Sequence, residues 1–427
     1  MKRVAITTLG CKTNQFESAA MGESLSQQGY QAVPFNEPAD VYIINTCTVT
    51  ARSDAESRKL IRRAARLNPA AQVVVTGCYA QLAADELSRL PNVSLVIGNS
   101  EKRDIARMLA SAPQGEGARV AVADIGAESI AEPLALESFA EHTRAFLQIQ
   151  NGCNAYCAYC IVPYARGRSR SVAFDEVLAG VERFAAAGFR EVVLTGIHLG
   201  AYGKDLAGQT DLTALLSEIG ASGIVNRLRI GSVEPDEVTP QLIDVIASSR
   251  HICPHLHLPL QSGSDRVLQA MGRGYSSAAI RTLADRLVTA LPDIAIGFDV
   301  IAGFPGEDDA DHAATCGLLQ GLPVAYLHVF PYSSRPGTRA ASMAGHLPPA
   351  VIKARAAELR QIGETKQREY AGRFVGRELS LLIQGDKRSG ITANYLTVRL
   401  DSEASGEAVV RITGVNRDGS CSGELVR

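Results

Sequence analysis

Short runs of branched apolar residues recur along residues 1–330, and a helical pattern follows each. The first series is "RVAITTL" (3–9), "DVYIIN" (40–45), "QVVVTG" (72–77) and "VSLVIG" (93–98). Between and after them lie "NQFESAAMGESLSQQG", a basic helical stretch from about 51 to 67, and helical patterns over 80–89 and about 101–110. Parallel neighbours need a crossover long enough for a helix, and their strands are covered on both faces. Residues 1–112 therefore predict an α/β domain with a doubly wound parallel sheet.

A second series begins near 145, with strands expected at 145–150, 191–196, 227–232, 255–260, 294–303 and 324–330. Six βα repeats over residues 141–371 predict a partial or complete barrel of parallel strands. Right-handed crossovers would place every strand's C-terminal end on one rim. Residues 113–140 are rich in Ala, Gly, Glu, Ser and Pro and are expected to be a linker, with a short strand at 119–123. A long charged helix is expected over 349–371. From 372 to 427 the texture changes to "FVGRELSLLIQ", "ITANYLTVRL", "GEAVVRITGVN" and "GSCSGELV". Alternating strands with Gly, Asp and Asn turns predict a small all-β barrel.

A chain of 427 residues can bury a core without disulfides. Nine cysteines in such a chain point to metal or redox chemistry. No apolar run approaches the roughly 18 residues of a membrane helix. The start, "MKRVAITTLGCK", has too short an apolar stretch for a signal peptide, so the expected location is the cytoplasm, with no membrane partner. Net charge is −2, so any RNA contact must come from local patches. Tryptophan is absent and aromatics make up 5%, which argues against a broad base-stacking platform.

"NGCNAYCAYCIVPYARG" (151–167) sets Cys153, Cys157 and Cys160 in C-x3-C-x2-C spacing just after the first barrel strand, with no fourth cysteine nearby. Thiolates suit iron–sulfur clusters and zinc. A structural zinc site needs a fourth ligand, and a closed electron-transfer cluster normally has four cysteines. Three thiolates leave one metal corner for a substrate or cofactor. Zinc with a histidine as fourth ligand, or three unrelated thiols, are the alternatives.

The spacing, with Tyr159 before the last cysteine, resembles the signature of the radical S-adenosylmethionine enzymes. The resemblance implies a [4Fe–4S] cluster on Cys153, Cys157 and Cys160, which are the catalytic cysteines. It also implies S-adenosylmethionine on the open iron and reductive cleavage to a 5′-deoxyadenosyl radical.

A second triad is dispersed. Cys11 in "LGCKTN", Cys47 in "INTCTVT" and Cys78 in "TGCYAQ" each follow a separate strand of the first series. The carboxyl ends of parallel strands share one edge, where ligands bind, so the three are expected to converge. Three independent core cysteines are the alternative.

The order of these motifs, ahead of the radical loop and a small β-barrel, resembles the methylthiotransferases over essentially the whole chain. The family resemblance implies a second [4Fe–4S] cluster on Cys11, Cys47 and Cys78, a central partial (β/α)6 radical SAM barrel, and a C-terminal TRAM-like RNA-binding domain. "LTGIHLGAYG" (194–203), "SVEPDEV" (232–238), "LPLQSGSDRVLQAMGRGY" (258–275) and "FPYSSRPGTRAA" (330–341) are similar to the threonylcarbamoyladenosine branch. That branch implies sulfur insertion and methylation at carbon 2 of threonylcarbamoyladenosine in the tRNA anticodon loop. It also implies an electron donor such as flavodoxin or ferredoxin, and a sulfur source. Prenylated adenosine in tRNA, or a ribosomal protein, is the substrate in other branches. A metal-containing RNA-binding protein without catalysis is the alternative of another class.

Strand-end polar groups on the barrel rim are candidate S-adenosylmethionine contacts: Thr195, Gly196, Ser232, Glu234, Gln261 and Ser262. Caps and turns use the same residue types. Arg58, Lys59, Arg62, Arg63 and Arg66 on one helix, and Arg166, Arg168 and Arg170 after the cysteine loop, could neutralise RNA phosphates or form a solvated surface. His255 and His257 are expected as hydrogen-bonded interior groups on one strand face. Cys253, Cys316 and Cys421 are expected to be ordinary buried thiols.

Overall fold

The computed structural model describes residues 1–111, 117–131, 134, 136, 143–208 and 210–426. Its described residues form two compact units: those within Met1–Glu137, Gln148–Val172 and Ser333–Ala341, and those within Ser138–Leu147, Ala173–Tyr332 and Ser342–Arg427. Residues 113–116, 132, 133, 135 and 137–140 of the expected linker at 113–140 lie outside the described residues. Within it, a three-residue strand falls where the sequence anticipates one.

The first unit begins β1 (Arg3–Thr8), α1 (Lys12–Gln27), β2 (Gln31–Ala32), β3 (Val41–Thr46), α2 (Ala51–Leu67), β4 (Gln72–Gly77) and α3 (Cys78–Leu82). It continues with α4 (Ala84–Ser88), β5 (Val93–Ile97), α5 (Ile105–Ala110) and β6 (Arg119–Ala121). The strand order is β2-β1-β3-β4-β5-β6, and every pairing is parallel. Met21 and Leu25 of α1 share one core with Ile105 and Leu109 of α5. Ile61 and Ala64 of α2 share the other with Tyr79, Ala80 and Leu87. Two separate cores mean helices on both faces, as a doubly wound sheet requires. The helix expected over 80–89 is broken at Ala83, whose φ of −137° and ψ of 41° leave the helical region.

The chain then passes through β7 (Arg144–Gln148) and a two-residue hairpin, β8 (Gln150–Asn151) with β9 (Arg170–Ser171), that encloses α6 (Val162–Arg166).

The second unit carries the six expected barrel strands. After β7 come α7 (Phe174–Ala186), β10 (Glu191–Thr195), α8 (Leu212–Ser222), β11 (Arg227–Ile230), α9 (Pro240–Ser248) and β12 (His255–Gln261). Then follow α10 (Asp265–Met271), α11 (Ser277–Ala290), β13 (Ala295–Ala302), α12 (Asp309–Gly321), β14 (Tyr326–Pro331) and α13 (Pro349–Gly372). The strands form two three-stranded sheets, β11-β10-β7 and β12-β13-β14. Parallel bridges at Leu228–Ile252 and Ser232–His257 join their neighbouring edges, giving a partial barrel.

Five strands close the C-terminal barrel: β15 (Glu378–Ile383), β16 (Ser389–Thr392), β17 (Thr397–Leu400), β18 (Glu407–Val415) and β19 (Cys421–Leu425). The sequence suggests four. "ITANYLTVRL" is two strands, because Tyr395 at φ 67° turns the chain and Thr392 Oγ1 accepts from the Leu396 amide at 2.9 Å. Ala295 and Ala325 of the central barrel share a core with Phe374, Leu381, Val398 and Ile412.

Candidate metal centres

The register of the first sheet sets the dispersed triad. Thr8 lies opposite Asn45, and Thr46 opposite Gly77, so Cys11, Cys47 and Cys78 leave adjoining strands at one edge. A methyl group on Gly10 would stand 2.9 Å from Cys47 Cβ and 3.1 Å from its Sγ, so the backbone before Cys11 passes against Cys47. Cys47 and Cys78 are buried, whereas Cys11 is exposed. Burial pushes the Cys47 thiol up to about 11, and its neighbours Cys78 and Cys11 add to the rise. Such a thiol is protonated at neutral pH and becomes a thiolate by exchanging its proton for a metal. The donor set therefore fits a metal cluster better than a nucleophile.

Behind this edge lies a buried polar network. Arg166, at the end of α6, is fully buried, and its Nε donates to Cys78 Sγ at 3.3 Å. Its other nitrogens donate to the Glu17 carboxylate, at 3.0 Å for Nη2 to Oε2, and to Asn14 Oδ1. Lys102, also buried, pairs with the same carboxylate. Burial opposes ionisation of Glu17, but Arg166 and Lys102 outweigh it and hold the pKa down to about 2. Asn14 in turn donates to the Leu9 and Thr46 carbonyls at 2.6 and 3.1 Å. Next to Cys47 in sequence, Thr48 accepts from Arg335 at 2.7 Å, and Arg335 also donates to Asp54 at 2.5 Å.

This geometry corrects an expectation. Arg166 and Arg170 are 0% and 5% exposed, so neither guanidinium can meet an RNA phosphate. Arg170 donates instead to the Arg168 and Arg166 carbonyls. Arg168 alone of the three is exposed. On α2, Arg58 is engaged by Tyr79 and Glu86, whereas Lys59, Arg62, Arg63 and Arg66 are exposed.

The loop bearing Cys153, Cys157 and Cys160 is closed by its own backbone. The Cys153 amide donates to the Gly167 carbonyl at 3.0 Å, and the Cys160 amide to the Cys157 carbonyl at 2.9 Å. Asn154 Oδ1 accepts from the Ser169 amide at 3.0 Å, and Gln150 Nε2 donates to the Gly152 carbonyl at 2.8 Å. Ala155 N–H points at Cys153 Sγ, 3.4 Å away. Cys157 is buried, and its two companions are half-buried. No disulfide joins any of the nine cysteines. All three thiols of the loop thus sit on a backbone fixed in advance.

In the second unit, the other candidates lie at the C-terminal ends of β10, β11 and β12. Thr195 is buried at the end of β10, with Gly196 next to it. Ser232 is exposed, and Glu234 pairs with Arg273. Gln261 ends β12 at φ 65°. Ser262 is buried at 1% exposure, lies 3.3 Å from Thr315 Oγ1 and accepts from the Ser264 amide. Its hydroxyl thus holds the turn into α10 and meets Thr315 of α12. Tyr326 Oη meets His255 Nε2 at 2.8 Å and His257 Nδ1 at 3.0 Å, while His257 Nε2 pairs with Asp299 at 2.8 Å. The two histidines are hydrogen-bonded interior groups, as expected. Cys253, Cys316 and Cys421 are buried thiols pushed up to about 11, mainly by burial.

The sequence reading missed the ion network of Glu17, Lys102 and Arg166, and the Asp54–Arg335 pair. No local signal could have found either, because Glu17 and Arg166 are 149 residues apart, and Asp54 and Arg335 are 281 apart.

Residues 3–98 match the Uncharacterized protein family UPF0004, and residues 147–319 the Radical SAM superfamily. The solved radical S-adenosylmethionine methyltransferase TsrM from Kitasatospora setae shares the fold. It has a TM-score of 0.54 at 17% identity, over 80% of this chain and 75% of that one. Fold and cysteine pattern define a radical SAM protein with an added N-terminal domain. Among full-length relatives, the "Threonylcarbamoyladenosine tRNA methylthiotransferase MtaB" of Aquifex aeolicus (strain VF5) is 38% identical over 96% of this chain and 99% of its own. That of Bacillus subtilis (strain 168) is 38% identical over 93% and 90%. The "tRNA-2-methylthio-N(6)-dimethylallyladenosine synthase" of Maricaulis maris (strain MCS10) is 32% identical over 99% and 97%. The chain belongs to the MtaB-type radical S-adenosylmethionine methylthiotransferases. Its cofactors are accordingly S-adenosylmethionine and two [4Fe–4S] clusters. Among the described residues, no helix is long and apolar enough to cross a membrane.

Proposed function

We propose that this chain methylthiolates carbon 2 of threonylcarbamoyladenosine beside the tRNA anticodon, in the cytoplasm. The observation that carries the assignment is the pair of cysteine triads, each one ligand short of a closed cluster, within a full-length match to proteins named for this reaction. Cys153, Cys157 and Cys160 hold one cluster, and Cys11, Cys47 and Cys78 the other. When bound, the first supplies an electron that cleaves S-adenosylmethionine, and the second presents sulfur.

The protein's own part is to orient and to insulate. The hydrogen bonds across 150–171 hold three thiols in place before the metal arrives. Thr195, Gly196, Ser232, Glu234, Gln261 and Ser262 contact S-adenosylmethionine from the strand ends, and the Ser262 hydroxyl also holds the turn that follows. Functionally, residues 1–112 serve the second cluster, 141–371 the radical chemistry and 372–427 RNA binding, with 113–140 as the connection. A flavodoxin or ferredoxin provides electrons, and a separate source provides sulfur.

Mass spectrometry of tRNA nucleosides tests the assignment. Cells lacking this protein should accumulate threonylcarbamoyladenosine and lose its 2-methylthio form, and the intact gene should restore it. An unchanged 2-methylthio-threonylcarbamoyladenosine level overturns the assignment. Loss confined to prenylated adenosine transfers the chain to the substrate named for the Maricaulis relative.

A further inference from the structure

The described residues of the first unit bury more positive than negative charge. Among its described residues, the buried bases are Lys102, Arg166, Arg170 and Arg335, and the buried acids are Glu17 and Asp54. Asp54 and Arg335 pair with each other, and Arg170 is spread over backbone carbonyls. At the dispersed triad, one carboxylate, Glu17, faces two cations, Lys102 and Arg166. An uncompensated buried cation is costly, and proteins keep one only where an anion meets it. Arg166 Nε points at Cys78 Sγ, 3.3 Å away, so the missing anion belongs at the sulfurs. An oxidised four-iron cluster has two positive charges against three thiolates, which leaves one negative charge. That charge matches the single excess cation.

We propose that Arg166 is a positioning residue for the cluster held by Cys11, Cys47 and Cys78, where its guanidinium neutralises the ligated sulfurs and sets the cluster's reduction potential. Hydrogen bonds and positive charge at cluster sulfurs stabilise the reduced, more negative state and so raise the potential. Glu17 acts in the opposite sense, by offsetting part of the cationic field. Arg166 is also six positions beyond Cys160, so the segment that closes the radical loop touches a ligand of the other cluster.

The inference rests on the assignment of the second triad, and the experiment separates the two. In the full chain with Cys153, Cys157 and Cys160 all replaced by alanine, only the second cluster should assemble after anaerobic reconstitution. Its potential is read by redox titration followed by electron paramagnetic resonance. Arg166→Gln in that background should shift the midpoint to more negative potential. Glu17→Gln should shift it to more positive potential, and Arg166→Lys should keep most of the original value. Opposite shifts from two members of one network are not what a merely structural role produces. If the cysteine-replaced chain takes up no iron, the second triad is wrongly assigned, and the inference falls with it. If a cluster is present and neither substitution moves its midpoint, the inference alone is overturned. Should Arg166→Gln fail to take up iron, Glu17→Gln decides, and an unmoved midpoint there overturns it.

Discussion

The proposed function gives Cys157 and Cys47 different duties, so their replacements should part company. Cys157→Ala removes a thiolate from the loop of 151–167, and production of 5′-deoxyadenosine from S-adenosylmethionine should fall to background by chromatography. Continued production at the original rate would refute the role of that loop. Cys47→Ala removes a thiol that the first sheet holds against Gly10, away from that loop's backbone hydrogen bonds. Cofactor cleavage should survive there while the methylthio product is lost. A methylthio product formed at the original rate would contradict the assignment. The grouping of the cysteines into two sets was legible in the sequence for two reasons. Three have diagnostic local spacing, and the other three each follow a strand whose parallel neighbours share an edge. Arg166 reads as a surface group, at an RNA phosphate or in solvent, because a run of arginines has the same appearance on a surface and in a core. What buries it, Glu17 and Asn14, comes from the other end of the chain's contacts.

The cysteine loop, as an element, owes its shape to Gly152. At φ 73° this residue lies in the left-handed region, and a methyl group there would stand 1.8 Å from the Arg168 carbonyl oxygen. Gly152→Ala must therefore displace the β8–β9 hairpin, in addition to about 1–2 kcal/mol for the backbone conformation alone. The expected outcome is lower iron content after reconstitution and little 5′-deoxyadenosine. Gly29→Ala is the control. Its φ is 81° with nothing within 4 Å of the added methyl, so it should carry only the conformational strain and keep full iron content. Equal iron content in both variants would show that the hairpin does not set the cluster site. Elements with one clean periodicity were legible in the sequence, including all six central strands. Interrupted ones were not. The break at Ala83 and the turn at Tyr395 depend on residues that do not ordinarily mark a breaker, and β16 and β17 read as one strand until the Thr392 hydroxyl closes the turn between them.

For the whole molecule, the C-terminal barrel raises the question of whether it is an attached module or part of the second unit's core. Residues 371–427 hold 8 Lys or Arg and 7 Asp or Glu, so charge alone gives no hint of RNA and none of its packing. Its contacts within the second unit are extensive. Arg229, buried and paired with Glu191 at 2.7 Å, donates to the Ala393 and Thr392 carbonyls at 2.9 and 3.1 Å. Arg227 donates to the Ile391 carbonyl at 3.0 Å and pairs with Glu407 at 2.9 Å. Tyr395 stacks on His255 with ring centroids 4.2 Å apart. A chain ending at Gly372 would leave both arginines without these acceptors and would uncover the apolar core around Ala295 and Ala325. Hydrogen bonds to charged donors contribute roughly 1.5–3 kcal/mol each, so several lost together rival the stability of a domain. The truncated chain should therefore show faster amide hydrogen exchange in β10, β11 and β12, and a lower unfolding temperature for the second unit. Loss of tRNA affinity alone, with exchange in those strands unchanged, would show instead that the barrel is a separable RNA-binding attachment.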